Sequence, residues 1–222
     1  MIRFMRDASE HTEYHRELAG LIMSRLQGNP VVCDAGCGLG YLSIALSENA
    51  KSVIALDSNP DPLAVLAENI KKRKIGNITP VCADLNVYEP DCAADAVVFC
   101  FCGDGRLISS SSKRFGAKKV FVIGKSRDAR ESKEEGITDL LGRLGVPCET
   151  EFFELSLDQP FRSKEDALLF LNTYRMKEPY SGMSDEEYLA GLAAAPDAEF
   201  PLMLPIKKSL RMTLFNPGDL PR

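Results

Sequence analysis

The chain has 222 residues, of which 45% are hydrophobic and 27% charged, a composition that suits one larger domain or one domain with a modest insertion and excludes disorder, collagen-like repeats and a disulfide scaffold. No apolar run approaches the roughly 20 residues that cross a bilayer, and the opening MIRFMRDASEHT holds acidic groups without an apolar h-region, so a cytoplasmic protein with no membrane partner is expected. The net charge of −5 is opposite to that of proteins that grip a phosphate backbone through Lys and Arg, so nucleic acid is not expected as a partner.

In chain order, a helical pattern runs over Glu10 to Leu26, with Tyr14, Leu18, Leu21, Ile22 and Leu26 at helical spacing, and residues 1–29 read as an N-terminal helical segment. Gly28-Asn29-Pro30 ends it. The apolar run Val31-Val32-Cys33 closes in Asp34 and a glycine cluster, and a helix Tyr41 to Asn49 follows. A second run, Ser52 to Leu56, ends in Asp57; a helix Pro60 to Lys74 carries Leu63, Leu66, Ala67 and Ile70 on one face. Its basic end, Lys71 to Lys74, complements the helix dipole. Strands are predicted at Ile78 to Ala83, Ala96 to Phe101 and Val120 to Ile123, then a helix from about Glu131 to Leu144.

Short apolar runs without alternation mark strands buried on both faces. Alternation with helices predicts a doubly wound α/β fold with a mostly parallel sheet. After Pro147 the patterning changes. A strand is expected over Glu149 to Leu157, and two capping boxes, Ser163 with Asp166 and Ser184 with Glu187, open helices. A last strand runs over Leu210 to Phe215. Residues 160–203 therefore read as a small helical insertion before the last strand of a single domain 1–222, placed as a cap over the sheet edge.

The seven cysteines are odd in number and lie mostly in apolar runs, which suits buried thiols in a reducing compartment. A zinc site would need a second chelating pair beside Cys33/Cys37 or Cys100/Cys102, and none is present, so no metal is expected.

The informative segment is Asp34-Ala35-Gly36-Cys37-Gly38-Leu39-Gly40, where a buried strand turns into a helix. Open α/β sheets bind ligands at such places, with the first helical amides available to an anion. The dinucleotide fingerprint requires glycine at position 41, which is Tyr41, and no Gly-Lys-Ser/Thr follows as a phosphate loop demands. The remaining pattern, acidic-x-Gly-x-Gly-x-Gly, resembles motif I of the class I S-adenosylmethionine-dependent methyltransferases. The resemblance spans roughly residues 30–125: Asp57 closes the second strand, Asp84 the third, and Asp95 to Cys100 matches the fourth-strand motif.

The resemblance implies a Rossmann-like, seven-stranded methyltransferase fold with S-adenosylmethionine as cofactor. It places Gly36, Gly38 and Gly40 under the methionyl part and has Asp34 act on the ammonium through the loop or water. It puts Asp57, with the adjoining Ser58, on the ribose. Asp84 and the amide of Leu85 read the adenine, and Cys100 lies where the backbone passes the cofactor. Read from residues alone, the same aspartates could serve only as helix caps, as Asp57 could before Ser58-Asn59-Pro60.

The Asn/Asp-Pro-Pro-aromatic device for exocyclic amines is replaced by Phe101-Cys102-Gly103-Asp104-Gly105. The expected reaction is methyl transfer to a small-molecule acceptor. A protein or RNA acceptor, or a non-catalytic cofactor-binding module, are the alternatives, and a homodimer is admitted. His11, His15 and Asp104 are candidate bases, each also readable as a surface or turn residue, so no catalytic residue is assigned. Phe161, Phe170, Tyr174, Tyr180 and Tyr188 either wall an acceptor pocket or pack the insertion. Cys100 and Cys102 share one side of their strand, where packing competes with thiol chemistry.

Overall fold

The computed structural model describes residues 2–126, 136–177 and 179–221. The chain forms two compact units, Met1–Tyr14 with Leu155–Lys208, and His15–Glu154 with Ser209–Arg222. In chain order the elements are α1 (Ile2–Glu10), α2 (Tyr14–Met23), β1 (Val31–Ala35), α3 (Tyr41–Ser47), β2 (Ser52–Asp57), α4 (Pro60–Arg73), β3 (Ile78–Cys82) and β4 (Ala96–Cys100). Then come α5 (Gly105–Ser112), β5 (Lys119–Lys125), α6 (Ile137–Leu144), β6 (Cys148–Ser156), β7 (Gln159–Phe161) and α7 (Lys164–Tyr174). The last are α8 (Asp185–Ala190), β8 (Ala193–Ala194), β9 (Leu202–Leu204) and β10 (Lys207–Phe215), with a short 3-10 turn at Pro217–Asp219.

The larger unit is built on a seven-stranded sheet of order β3-β2-β1-β4-β5-β10-β6. Strands β3, β2, β1, β4 and β5 pair in parallel, and β10 runs antiparallel to β5. The expected mostly parallel, doubly wound sheet is what forms. The reason lies in the apolar runs: Val32, Cys33 and Ala35 of β1 and Ala96 to Phe99 of β4 are fully buried, so both faces must be covered by helices. Pro80 interrupts β3, which tolerates it because β3 is an edge strand. From β1 the chain winds outward to β3, then returns to the other side of β1 as β4. That reversal opens a crevice at the carboxyl ends of β1 and β4, the usual ligand position in such sheets.

Helix α4 begins at Asn59, whose side chain accepts from the Asp61 amide at 3.0 Å, with Pro60 in the first turn. It ends in Lys71, Lys72 and Arg73. Two expectations change. The helix expected over Glu10 to Leu26 forms only over Tyr14–Met23, and a separate helix α1 precedes it, ended where the Thr12 hydroxyl and His11 ring turn back onto the carbonyls of Ala8 and Asp7. Helix α5 has no counterpart among the predicted elements; its Ser111 and Ser112 are buried and bond back to the Leu107 and Ser109 carbonyls. Of the helix expected from Glu131, the part from Ile137 is seen; residues 127–135 lie outside the described residues.

The smaller unit has its own core of Phe4, Phe161, Ala167, Phe170, Leu171 and Tyr188. It holds a three-stranded sheet of order β7-β9-β8, with β9 antiparallel to both neighbours. Phe161 meets Phe4, Phe170 and Tyr188 edge to face, at centroid distances of 6.3, 5.5 and 6.5 Å. The aromatic residues weighed as pocket walls thus pack against one another. Around them Arg162 binds the buried carboxylate of Asp7 at 2.8 Å, and Arg3 binds Asp166 at 2.6 Å. Burial raises the Asp166 pKa, but the bonds from Arg3 and from the Arg162 amide, the latter at 3.1 Å, together outweigh it and hold the group below the ordinary carboxylate range.

Phe161→Ala removes a fully buried ring and should cost the smaller unit about 3–5 kcal/mol. Hydrogen exchange read by mass spectrometry should show faster exchange in α7 and α8; unchanged protection there would contradict this core assignment.

Candidate functional site

The site starts at the carboxyl end of β1. Gly36, Gly38 and Gly40 have φ of +75°, +53° and +74°, a region that costs an L-residue roughly 1–2 kcal/mol. Space adds to the requirement at two of the three. A methyl group on Gly36 would collide with Cys102, and one on Gly40 with Leu66, whereas the position above Gly38 is open. Gly38 therefore offers a bare backbone to an incoming ligand.

The loop is tied to the end of β2. The Leu56 carbonyl accepts from the amides of Gly36 and Cys37 at 2.7 and 2.9 Å, and Asp57 Oδ2 accepts from the Gly38 amide at 2.8 Å. Asp57 Oδ1 accepts from the Asn59 amide at 2.9 Å. The helix cap of α4 is Asn59 rather than Asp57, so Asp57 belongs to the glycine loop. Each of its oxygens keeps acceptor capacity for a further donor.

Asp34 is 1% exposed, and its Oδ2 accepts from the Ser43 hydroxyl at 2.6 Å. Burial raises its pKa to about 6 despite that bond, with the Asp57 charge adding to the rise. Asp34 thus braces β1 against α3 beneath the loop. Ser58 is exposed, and its carbonyl lies 3.8 Å from Cys82 Sγ.

At the end of β3, Asp84 is exposed. Its Oδ1 accepts from the Asn86 amide and side-chain nitrogen at 2.8 and 2.9 Å, and these bonds lower its pKa. Leu85 is buried, and its carbonyl accepts from Arg114. Cys100 is half-buried at the end of β4, and burial raises its thiol pKa. Cys37 and Cys102 shift the same way for the same first cause. All three thiols stay protonated at neutral pH, so packing prevails over nucleophilic chemistry.

Of the candidate bases, Asp104 is the N-cap of α5, its Oδ1 accepting from the amides of Arg106 and Leu107 at 2.9 and 2.8 Å. His11 is exposed in the smaller unit, its ring 4.2 Å from that of Phe200. His15, in the larger unit, is half-buried against Tyr41 at 5.8 Å, and desolvation lowers its pKa to about 4. None has an acceptor proton in view. Among the described residues no three His, Cys, Asp or Glu side chains gather as a metal site.

Sequence reasoning missed a cavity of about 200 Å³ at the carboxyl ends of β4 and β5. Its wall runs from Phe101 to Asp104, then includes the end of β5, Gly136 and Ile137 at the start of α6, and Arg211 and Thr213 of β10. Cys102 serves both sites, because its sulfur also covers Gly36. At this size the cavity admits one ring with a substituent, below the roughly 300 Å³ at which pockets begin to enclose drug-sized ligands.

Residues 11–108 match the TRM5/TYW2 methyltransferase domain. A tRNA(Phe) (4-demethylwyosine(37)-C(7)) aminocarboxypropyltransferase from Methanocaldococcus jannaschii is 39% identical over 72 residues, 32% of this chain and 29% of the relative. A probable cobalt-precorrin-6B C(15)-methyltransferase (decarboxylating) from Methanobrevibacter smithii is 35% identical over 57 residues, 26% of this chain and 30% of the relative. The crystal structure of M. jannaschii TYW2 in complex with AdoMet superposes with a TM-score of 0.50 at 17% identity, covering 92% of this chain and 77% of that one. The fold is that of the class I S-adenosylmethionine-dependent methyltransferases. The resemblance carried by the glycine loop is borne out, although the matched segments span under a third of either curated relative's length.

One expectation is overturned. The acidic composition predicts no nucleic-acid partner, yet a relative 39% identical over 72 residues is a tRNA-modifying enzyme. Net charge sums over a whole chain, whereas recognition is local, so an acidic total does not exclude an RNA acceptor. Among the described residues no helix is long and apolar enough to cross a membrane.

Two outcomes follow from this geometry. Gly36→Ala should lose about 2–4 kcal/mol, part from φ and part from Cys102. Adding Cys102→Ala should restore only the steric part, so a denaturant-titration cycle that recovers nothing would refute the close approach. For Asp34, the raised folded pKa means that its contribution to stability is complete below pH 3.8 and is lost as pH rises through about 6. The stability of Asp34→Asn relative to the parent should therefore climb by about 2 kcal/mol between pH 4 and 6.5 and then level off. A flat difference across that range would show that Asp34 is not desolvated.

Proposed function

We propose that the chain is an S-adenosylmethionine-dependent methyltransferase whose acceptor is a nucleotide of RNA. The observation that carries the transfer reading is Cys102, which walls both the glycine loop and the neighbouring cavity. A donor on the loop and an acceptor ring in the cavity would then meet across one side chain. The chain's own residues suit the donor: open space over Gly38 for its methionyl part, Asp57 for two ribose hydroxyls, and Asp84 Oδ2 at the end of β3 for an amino group. When bound, S-adenosylmethionine supplies a methyl already activated by its sulfonium. The protein's task is then alignment and exclusion of water, with a base needed only for an acceptor proton of high pKa. The RNA acceptor is supported by the TRM5/TYW2 match and the tRNA-modifying relative.

A second reading, a low-mass acceptor, is favoured by the cobalt-precorrin relative and by the small size of the cavity.

Calorimetry with S-adenosylmethionine and NAD should show binding of the first only. Asp57→Asn, which keeps the size of the side chain, should weaken that binding about tenfold or more, the range for a charged hydrogen bond. Incubation with methyl-labelled cofactor should then label unmodified tRNA. Label confined to low-mass metabolites would favour the second reading. Tight binding without release of S-adenosylhomocysteine in either assay would leave a cofactor-binding module.

A further inference from the structure

Two residues of the cavity stand out, Phe101 and Arg211. Phe101 follows β4 with φ +54°, a conformation that is a genuine outlier for a bulky aromatic residue. Its amide donates to the Ile123 carbonyl at 2.8 Å, which pins the backbone there, and the residue is 52% exposed. Core packing explains neither the strain nor the exposure, and strain of this kind collects where a ligand is gripped. An exposed ring face at a cavity wall is a stacking platform.

Arg211 lies on β10 opposite Gly124 and is half-buried. Its guanidinium reaches the start of α6, with Nη2 3.5 Å from the place a side-chain carbon on Gly136 would occupy. Elsewhere, partly buried arginines are paired: Arg25 with Glu151, Arg3 with Asp166 and Arg175 with Asp185. Among the described residues Arg211 has no ion pair or hydrogen bond. Among the described residues two acidic groups face the area. Asp104 is engaged in capping α5, and the exposed Asp139 approaches the same point beside Gly136 without pairing. Thr213, two residues along the same face of β10, contributes a buried hydroxyl 3.0 Å from that of Thr138.

We propose that Phe101 and Arg211 select the acceptor together, Phe101 stacking on a planar ring and Arg211 holding an anionic group that the ring carries. The proposal rests on the cavity being the acceptor site of a methyltransferase. A partly desolvated guanidinium lacking a counter-ion favours a bidentate oxyanion, and a phosphate or a carboxylate meets that need equally. A nucleotide supplies the first source and a carboxylated planar small molecule the second.

Guanosine 5′-monophosphate, guanosine and benzene-1,3,5-tricarboxylate, titrated calorimetrically with and without S-adenosylhomocysteine, test the pair. The monophosphate or the tricarboxylate is expected to bind, and whichever binds tighter assigns the source of the anion. Arg211→Gln should weaken that anionic probe about tenfold and leave guanosine unchanged, while Arg211→Lys should retain part of the affinity. Phe101→Gly, which relieves the backbone, should weaken every ring-bearing probe without lowering thermal stability. Asp139→Asn should tighten the anionic probe by removing a competing carboxylate. Affinity for S-adenosylhomocysteine should be unaffected by all four substitutions. Absence of that affinity in the parent would count against the donor reading. Anionic probes that bind equally well without Arg211, or no probe binding at all, would overturn the acceptor pair.

Discussion

The site depends on the attachment of the glycine loop to the end of β2. Three consecutive amides, those of Gly36, Cys37 and Gly38, are taken up by the Leu56 carbonyl and the Asp57 carboxylate. A loop of three left-handed glycines would otherwise carry the highest backbone entropy in the chain. Tethered in this way, it is shaped before any ligand arrives, and Asp57 is oriented by the same bond. A residue assigned to the ribose is thus also a structural clasp. Truncating Asp57 to alanine would confuse loss of a ligand contact with loss of the loop, which is why an isosteric amide is the informative change.

Much of this is legible in the sequence because a parallel sheet leaves a strong signature. Runs such as Val31 to Cys33 and Ala96 to Phe99 are apolar without alternation, and each ends in a polar residue where the strand leaves the core. The glycine spacing at 36, 38 and 40 by itself excludes the dinucleotide fingerprint and the phosphate loop. Helix α5 is illegible for a physical reason: serine is small enough to be buried once its hydroxyl bonds back to the helix, so a buried face of Ser111 and Ser112 looks polar in sequence. Strands β7, β8 and β9, of two or three residues each, carry too little periodicity to register. Phe101 and Arg211 are invisible as a pair, since neither a positive φ nor a missing counter-ion can be read from residue type.

The charge argument fails differently. Several cations are already spent on carboxylates within their own unit, as Arg162 and Arg3 are on Asp7 and Asp166. Subtracting acids from bases over the whole sequence therefore measures neither the cations left over nor their positions. Arg211, at the cavity, has no such partner among the described residues.

The thiols around the crevice give a last indication of what the site tolerates. Burial is the first cause of the raised pKa values of Cys37, Cys100 and Cys102, and the charge of Asp34 adds to all three, with Asp57 acting on Cys37 and Cys102. Desolvation opposes either charge, but the carboxylate contribution to these shifts favours a cation at the same place. It therefore suits a ligand bearing an ammonium and a sulfonium, and it disfavours a thiolate attacking that sulfonium from the protein itself. Cys102, between the loop and the cavity, is held as a thiol, the weakly nucleophilic form of cysteine. Arg211 lines the same cavity as Cys102, and an anionic acceptor of the kind proposed above would depend on its guanidinium to offset the field of these carboxylates.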